Sequence, residues 1–316
     1  MAFFVTKDMV FDALKHGGVL ELGSDTVMTP LARETADKLG VTVKTAGNRG
    51  RRPLVAANWK MNHGASATLL FLETFIPLSS GTAGIDMVVC PSHPFLILAG
   101  QMLKNTSIDL GSQDAAWEET GAYTGEVSVP MLVDCGCSYA IIGHSERRKY
   151  HPGEDERIPA KMELVLKAGI TPILCVGEAL ADREHGRTYR ILKRQLDIAL
   201  ASISEEKADP IVLAYEPIWA IGTGQVATVT QVADVHGFLR KTITLRYSRE
   251  TASKCRILYG GSVNSKNAGS LAALEDVDGF LVGGASLAAD SFMDILYQIM
   301  SAKAPSSDVL EDKQHQ

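Results

Sequence analysis

The sequence shows few of the features that direct proteins into or across membranes. None of its apolar runs approaches the ~18 residues that a membrane span requires. Asp8 and Asp12 interrupt the apolar residues near the start, and no small-residue cleavage site follows them. Neither a secretory signal nor an Arg-rich transit peptide is therefore expected. These features predict a cytoplasmic protein with no membrane partner.

Excess positive charge and paired cysteines are also missing. The net charge of −6, without a basic stripe interleaved with aromatic residues, argues against a nucleic-acid partner. The five cysteines are odd in number and scattered, which predicts buried thiols in a reducing compartment. Cys135 and Cys137 flank one glycine, but no companion His/Cys pair stands at zinc-finger spacing. No metal is expected.

Residues 1–50 differ in character from the rest and are predicted to form a small helix–strand–helix extension. Thr29 and Pro30 are typical of an N-cap and first helical position. The predicted elements are helices over 6–15 and 29–40, short strands at 19–22 and 41–43, and a polar linker over 45–52. The extension contains no catalytic constellation.

From residue 51 onward, apolar runs alternate with segments of helical periodicity. The eight runs are 54–57, 87–90, 107–111, 139–142, 170–176, 211–215, 256–259 and 278–282. Strands that alternate with helices indicate βαβ units and a parallel sheet. Eight units over 51–302 favour a closed (β/α)8 TIM barrel, an α/β fold, with a flexible tail at 303–316. An open doubly wound sheet would more often carry a glycine-rich fingerprint after its first strand, where Asn58-Trp59-Lys60-Met61-Asn62 stands instead.

Polar side chains cluster at the carboxyl ends of the predicted strands, where α/β barrels hold their active sites. Asn58, Lys60, His144 and Glu216 come from different strands and are expected to converge there. A carboxylate screened from water can act as a general base with a raised pKa, and a neutral His144 at a helix start can polarise a carbonyl. Alternatives remain open, because Glu216 can merely cap the next helix, a lone histidine is often structural, and a lone lysine is often solvated.

Glycines follow several of the same strands. Gly222, the segment 259–263 and the pair Gly283-Gly284 suit a phosphate-binding site built from backbone N–H groups, although tight βα turns also need glycine. A base, an electrophile and a lysine beside such a site indicate proton abstraction next to the carbonyl of a small phosphorylated sugar. From the residues alone, the prediction is a barrel isomerase or aldolase acting on a sugar phosphate.

Five long motifs carry a resemblance to a known family. They are N-W-K-M-N at 58–62, I-I-G-H-S-E-R-R ending at 148, A-Y-E-P-I-W-A-I-G-T-G at 214–224, Y-G-G-S-V-N at 259–264 and G-F-L-V-G-G-A-S-L at 279–287. In this order, over about residues 52–302, they resemble the triosephosphate isomerase family. The resemblance implies a homodimeric enzyme without a cofactor that interconverts dihydroxyacetone phosphate and D-glyceraldehyde 3-phosphate through an enediolate, in glycolysis, gluconeogenesis or sugar catabolism.

The resemblance also implies residue roles. Glu216 would move the carbon-bound proton and His144 would polarise the carbonyl, which is this family's established pairing. Lys60 would supply positive charge, Asn58 would orient the oxygens, and Glu146 would support both. The phosphate would be held by Gly222, Ser262, Gly283 and Gly284. The lid would span 217–227, including Pro217, Ile218, Trp219, Ala220, Ile221, Thr223 and Gly224, with Tyr259 and Ser262 meeting it when closed.

A loop after the third strand, at 120–128 with Thr124 near its tip, resembles the loop by which the family's subunits interlock. The alternative interpretation of this loop is an ordinary surface turn.

Two features depart from the family pattern. One is a proline-containing detour at 150–157. The other is the N-terminal extension, which is either a protein-interaction module or a passive appendage. An aldolase would need a Schiff-base lysine inside a strand, and an inactive scaffold would be expected to lack Glu216, Lys60 or His144.

Overall fold

The computed structural model describes residues 3–15, 17–22, 26–45, 51–221 and 225–303. The chain divides into two compact units, Met1–Gly50 and Arg51–Gln316. Most of the predicted linker and of the tail, as well as Gly222, Thr223 and Gly224, lie outside the described residues. No helix in the described part of the chain is long and apolar enough to cross a membrane.

The second unit is a closed barrel of parallel strands. Its strands are β5 (Leu54–Asn58), β6 (Asp86–Cys90), β7 (Ile108–Ser112), β8 (Tyr139–Ile142), β9 (Thr171–Val176), β10 (Val212–Tyr215), β11 (Arg256–Tyr259) and β12 (Gly279–Val282). Each strand pairs in parallel with the next in sequence, and β12 pairs with β5 to close the barrel. The predicted (β/α)8 barrel is confirmed, with every predicted strand in place.

Helices cover the outside of the barrel. They are α3 (Ala65–Ser79), α4 (Leu96–Leu103), α5 (Val129–Asp134), α6 (Ser145–Tyr150), α7 (Glu154–Lys167), α8 (Leu180–Glu184), α9 (Thr188–Ala199), α10 (Glu205–Ala208), α11 (Val229–Arg246), α12 (Arg249–Lys254), α13 (Ala268–Ala272) and α14 (Ala289–Lys303). Short 3-10 helices span His93–Phe95, Ile218–Ala220 and Gly284–Ser286. Within the detour at 150–157, only residues 151–153 lie between α6 and α7, and Gly153, at φ 80°, is the N-cap of α7.

Strand side chains alternate between two apolar clusters. On β5, Leu54 and Ala56 belong to the cluster inside the barrel, while Val55 and Ala57 pack against the helix layer. Because both faces are covered, the strands carry continuous apolar runs and their polar residues are left to the ends. All five cysteines are free, and four of them are buried. Burial raises the pKa of the Cys137 thiol to about 12.

The first unit is built from two copies of one strand–helix–strand motif. The first copy comprises β1 (Phe3–Val5), α1 (Lys7–Lys15) and β2 (Val19–Leu22), and the second β3 (Thr26–Met28), α2 (Pro30–Leu39) and β4 (Thr42–Thr45). The structure thus contains both predicted helices and both predicted strands, and it adds β1 and β3, which the sequence analysis did not predict.

Pairing between the copies keeps one constant register. Phe3 pairs with Thr26 in the β1–β3 sheet, and Val19 pairs with Thr42 in the β2–β4 sheet, an offset of 23 residues in both cases. The hydrogen bonds that end the two helices, from Gly18 N–H to the Ala13 carbonyl and from Val41 N–H to the Ala36 carbonyl, have the same offset. The unit is therefore an internally symmetric tandem repeat in which each sheet takes one strand from each copy.

A small core holds this unit together. It contains Val5, Val10, Leu20, Ala32, Ala36 and Val41. We expect Val10→Asp to unfold the unit, because an unpaired buried carboxylate costs at least about 3 kcal/mol, comparable to the whole stability of so small a core. Hydrogen exchange of the full chain should show lost protection in residues 3–45 and unchanged protection in the barrel.

Phe11→Asp is the matched control, since Phe11 is the next residue on α1 and its exposed fraction is 42%. Exchange in residues 3–45 should be unaffected by it. Equal loss of protection in both variants would contradict the assignment of Val10 to the core.

Candidate active site

A cavity of about 430 Å³ opens at the carboxyl ends of the barrel strands. Its lining comprises Asn58, Trp59, Lys60, Asn62, His144, Glu146, Ile221, Gly260, Gly261, Ser262, Val263, Leu281, Gly283, Gly284 and Ala285. Asn58, Lys60, His144, Glu146, Ile221, Ser262, Gly283 and Gly284 of the predicted site residues therefore lie around one space, whereas Glu216 lies behind His144 and is not part of the lining. A larger depression on the outside of the barrel, between α7 and α9, contains none of them.

Glu216 directly follows β10, and its side chain is almost wholly buried at 1% exposure. The His144 ring lies beside it, with Nε2 2.8 Å from Glu216 Oε1. Ser145 donates its backbone N–H to Glu216 Oε2 at 2.9 Å and its hydroxyl to Oε1 at 3.4 Å. Both carboxylate oxygens thus have donors, so Glu216 does not serve merely as a cap for the helix that follows it.

These donors overturn the expectation of a raised pKa for Glu216. Burial alone pushes the pKa of this carboxyl upward, but the His144 ring and the Ser145 N–H stabilise the anion more strongly, and the net shift is downward from its ordinary value. The sequence indicated the burial of Glu216 but not the groups that face it. In this arrangement Glu216 is a fully ionised and therefore weak base.

His144 is the N-cap of α6. Its Nδ1 accepts the backbone N–H of Glu146 at 3.2 Å, so that nitrogen carries no proton. The ring proton is therefore placed on Nε2, which faces Glu216 and the cavity. The hydrogen bond with Glu146 directs the other ring nitrogen toward Glu216.

Lys60 lies in the left-handed region of the backbone, at φ 53°. Its Nζ lies 2.5 Å from Glu146 Oε1, and Gln113 and Ser92 both donate side-chain hydrogen bonds to its carbonyl oxygen, at 2.8 and 3.0 Å. Asn58 Oδ1 accepts the Lys60 N–H at 3.0 Å. This uncommon conformation is therefore held from several directions, as expected where strain persists at a functional site.

The described part of the predicted lid contacts two neighbouring loops. Trp219 Nε1 donates to Glu178 Oε1 at 3.0 Å, and the Ile218 N–H donates to the Glu178 carbonyl at 3.2 Å. On the other side, the Ser262 hydroxyl donates to the Ala220 carbonyl at 2.8 Å. Burial raises the pKa of Tyr259 to about 12, against a smaller opposing effect of the Ala227 backbone.

Three residues at the site carry contacts that the sequence analysis did not assign. Ser145 supplies two donors to Glu216, Gln113 holds the Lys60 backbone, and Glu178 is wholly buried beneath the lid. Each stands at a strand end, and this position was the only available signal. Polar side chains at those ends could have been assigned to the site as a group, without individual roles.

Among the described residues, no group of three or more His, Cys, Asp or Glu side chains could hold a metal ion. The ionisable groups of the cavity instead pair with one another, Lys60 with Glu146 and His144 with Glu216. Such groups are suited to proton transfer and charge stabilisation.

Fold and site together define a (β/α)8-barrel enzyme with acid–base chemistry at the carboxyl ends of its strands. The family model described as triosephosphate isomerase matches residues 53–299. The chain belongs to the triosephosphate isomerase family, and the resemblance seen in its motifs is confirmed.

Individual relatives are similar over the barrel. The triosephosphate isomerase of Geotalea uraniireducens is 44% identical over 246 residues, covering 78% of this chain and 98% of the relative. That of Endomicrobium trichonymphae is 45% identical with the same coverage, and that of Aquifex aeolicus is 44% identical over 78% of this chain and 99% of the relative. Residues 1–52 lie outside the family match.

The lowered pKa of Glu216 can be tested through the pH dependence of kcat/KM, which reports the free enzyme. A lowered pKa keeps the carboxylate ionised to more acidic pH, so the acid limb of the wild-type profile should lie at or below the ordinary glutamate value of 4.5. His144→Leu removes the group that stabilises the Glu216 anion most, so that burial, which raises the pKa of Glu216, becomes the dominant effect. We expect the acid limb of its residual kcat/KM to move to higher pH.

Ser145→Ala is the control, because it removes only the long hydroxyl contact and keeps the backbone N–H. Its acid limb should stay near that of the wild type. An unmoved limb in His144→Leu would show that His144 does not hold the Glu216 pKa down.

Proposed function

We propose that Glu216, His144, Lys60 and Asn58 carry out the isomerisation in the 430 Å³ cavity. The reaction of this family is the interconversion of dihydroxyacetone phosphate and D-glyceraldehyde 3-phosphate, a step of glycolysis and gluconeogenesis. The single observation that best supports these roles is the contact between His144 Nε2 and the buried Glu216 carboxylate at 2.8 Å. It joins a base and a proton donor in one water-poor site. The proposal requires no cofactor and places the enzyme in the cytoplasm.

Substrate binding would convert Glu216 from a weak base into a stronger one. The His144 Nε2–H that now faces Glu216 is the group that would donate to the substrate carbonyl. When it does so, Glu216 loses its main stabilising partner and only the Ser145 donors remain. Burial then dominates and raises the pKa of the carboxyl. Glu216 takes the carbon-bound proton, the enediolate forms, and the proton returns at the adjacent carbon.

Lys60 and Asn58 would stabilise the negative charge that develops on the substrate oxygens. The Lys60 ammonium has an exposed fraction of 27% and one carboxylate partner, Glu146, so it can shift toward a substrate anion without crossing the site. Glu146 is a supporting residue that holds Lys60 and accepts no substrate proton. Asn58 fixes the Lys60 N–H and lines the same cavity.

The substrate phosphate would bind where two glycine-containing loops meet. Ser262, Gly283 and Gly284 all line the cavity, and a side-chain carbon at Gly283 would lie 3.3 Å from Lys60 Cε. Backbone N–H groups at such a point bind anions well, and lysine adds charge. Gly222 is proposed as the contribution of the lid, although it lies outside the described residues. Closure of 217–227 would then exclude water from the enediolate.

Replacing Glu216 by aspartate tests its role as the base. The variant retracts the carboxylate by one methylene, and misplacement by about 1 Å costs on the order of 10²-fold, so kcat should fall by about that factor while KM changes little. A coupled assay of glyceraldehyde 3-phosphate isomerisation measures both constants. Glu206→Asp, at an exposed position of α10, is the matched control and should behave as wild type.

An unchanged kcat in Glu216→Asp would remove this residue from the role of base. Absence of activity in the unmodified chain would instead favour the scaffold hypothesis. Trapping of substrate on Lys60 by borohydride would favour the aldolase hypothesis, because only a Schiff base is reduced to a stable adduct.

The proposal includes a homodimer in which each subunit covers part of the other's site. Met61, next to Lys60, has an exposed fraction of 96%, which is unusual for a large apolar side chain beside a functional residue. Two contacts hold the loop at 120–128: the Ala116 N–H donates to the Val127 carbonyl across its base, and Tyr123 packs edge-on against Trp117. Thr124 at its tip is exposed. Together these features support a loop built to contact another subunit.

Met61→Glu should dissociate the dimer, because it would place a charge in the contact without changing the size of the side chain greatly. Light scattering on a size-exclusion column should show a monomer, and kcat/KM should fall with it. Leu245→Glu, at another highly exposed apolar position (77%) on α11, is the control and should remain dimeric. A wild-type chain that is monomeric and fully active would contradict the proposal.

Residues 1–50 are proposed to be a protein-interaction module. The 23-residue offset places exposed Phe11 and Leu14 where the second copy carries exposed Glu34 and Asp37. Since charged residues serve that position equally well in the same fold, the apolar pair is not required by the fold of the unit. This asymmetry supports a contact surface on α1 more than it supports a passive appendage. Two variants test this idea. Phe11→Asp should abolish partner binding by changing the exposed face, and Val10→Asp should abolish the same binding by unfolding the unit, while both retain the wild-type kcat.

A further inference from the structure

A side chain of α9 completes the hydrogen bonding of the backbone next to the site. Gln195 accepts the Gly177 N–H through Oε1 at 2.8 Å and donates through Nε2 to the Gly177 carbonyl at 3.0 Å. Gly177 is the first residue after β9. The carboxamide thus binds both peptide groups of one residue, as a neighbouring strand would.

The end of β8 explains why Gly177 needs such a partner. On the β10 side, Val176 accepts the Glu216 N–H and Glu178 accepts the Ile218 N–H, so the groups of Gly177 between them face the other way. That side belongs to β8, which ends at Ile142, paired with Leu174. Gln195 takes the place of the strand residue that is missing there. Without it, two backbone groups would lose their partners in a largely buried position.

Gly177 also lies in direct contact with the main chain of Glu216. A side-chain carbon built on Gly177 would lie 1.8 Å from the Glu216 carbonyl oxygen and 3.2 Å from its Cβ. No side chain fits at this point, so the backbone of Gly177 forms the surface against which Glu216 rests. A shift of Gly177 by a fraction of an ångström would therefore move Glu216, because packed interiors transmit displacement.

The residue after Gly177 extends the same argument to the lid. Glu178 is wholly buried and accepts hydrogen bonds from Tyr215 and Trp219 through Oε1, at 3.1 and 3.0 Å. Gln195 thus fixes the backbone at Gly177, which contacts Glu216 and directly precedes Glu178, the carboxylate that binds the lid residue Trp219. No other side chain among the described residues hydrogen-bonds both peptide groups of a strand-end residue at this site.

We propose that Gln195 is a positioning residue for the isomerisation: through Gly177 it sets the place of the Glu216 carboxylate. The proposal rests on the proposed role of Glu216 as the base. Gln195 itself lies on α9 in the helix layer, and its carboxamide binds the Gly177 backbone and is not part of the cavity lining. Its effect should therefore appear in kcat and hardly in KM, because substrate binding depends on other loops.

Gln195→Met is the first test, since methionine fills a similar volume and can form neither hydrogen bond with Gly177. We expect kcat to fall on the order of 10-fold, with KM within about twofold of wild type, as for a misplacement smaller than 1 Å. Arg194→Met places the same residue on an exposed position of the same helix and should leave both constants unchanged. A wild-type kcat in folded Gln195→Met would overturn the proposal.

Gln195→Glu separates positioning from simple stabilisation. An ionised carboxylate can accept the Gly177 N–H but repels its carbonyl, whereas the protonated form can accept and donate as glutamine does. The ratio of its kcat to that of wild type should therefore rise as pH falls, while the ratio for Gln195→Met stays level. A pH-independent ratio for Gln195→Glu would overturn the proposal, and this test remains available if the methionine variant fails to fold.

The outcomes also distinguish this inference from the proposed function. If Glu216→Asp retains full kcat, the base is misassigned and the proposal for Gln195 falls with it. If Glu216→Asp is impaired and both Gln195 variants match wild type, only the positioning role is wrong. A fall in melting temperature with unchanged kcat per folded enzyme would likewise assign Gln195 to stability alone.

Discussion

The arrangement of the site depends on one buried carboxylate and the three hydrogen-bond donors that face it. Glu216, at 1% exposure, would be costly to ionise without His144 and Ser145, and their contacts lower its pKa despite burial. The same contacts hold the His144 ring proton toward the cavity. In the proposed roles, Glu216 is the base and His144 is the electrophile that stabilises it, so the base would be inactive until substrate competes for His144. This couples proton abstraction to occupancy of the site.

The barrel makes this pairing possible by bringing residues distant in sequence to one end. His144 follows β8 and Glu216 follows β10, with β9 between them. The two side chains must reach across the end of β9, which therefore has to be small and immobile. Gly177 meets the first requirement, since no side chain would fit against Glu216, and the carboxamide of Gln195 meets the second. The strand order, Gly177 and Gln195 thus all contribute to one geometric requirement, the contact of His144 with Glu216 across the end of β9.

The sequence predicted the barrel well, because eight apolar runs and polar strand ends follow directly from strands buried on both faces. It placed Asn58, Lys60, His144 and Ser262 in one cavity for the same reason. The pKa of Glu216 was predicted wrongly, since burial is visible in an apolar run, whereas the ring of His144 and the N–H of Ser145 come from the start of α6, about 70 residues earlier in the chain. The contacts of Gln195 were also missed, because a side chain that binds a backbone 18 positions away leaves no pattern in composition or periodicity.

In the N-terminal unit, too, the sequence alone did not predict an important feature, the internal repeat. Its two copies share Thr6 with Thr29, Ala13 with Ala36, Lys15 with Lys38 and Gly17 with Gly40, too few identities to predict a repeat from sequence. The constant register between copies makes the repeat plain, because symmetry constrains backbone pairing more tightly than side-chain identity. Because both copies adopt the same fold, a position at which their residues differ in character is not determined by the fold alone. Phe11 and Leu14 are exposed at the positions where the second copy carries Glu34 and Asp37, and an exposed apolar pair on α1 is what a contact with another protein would require.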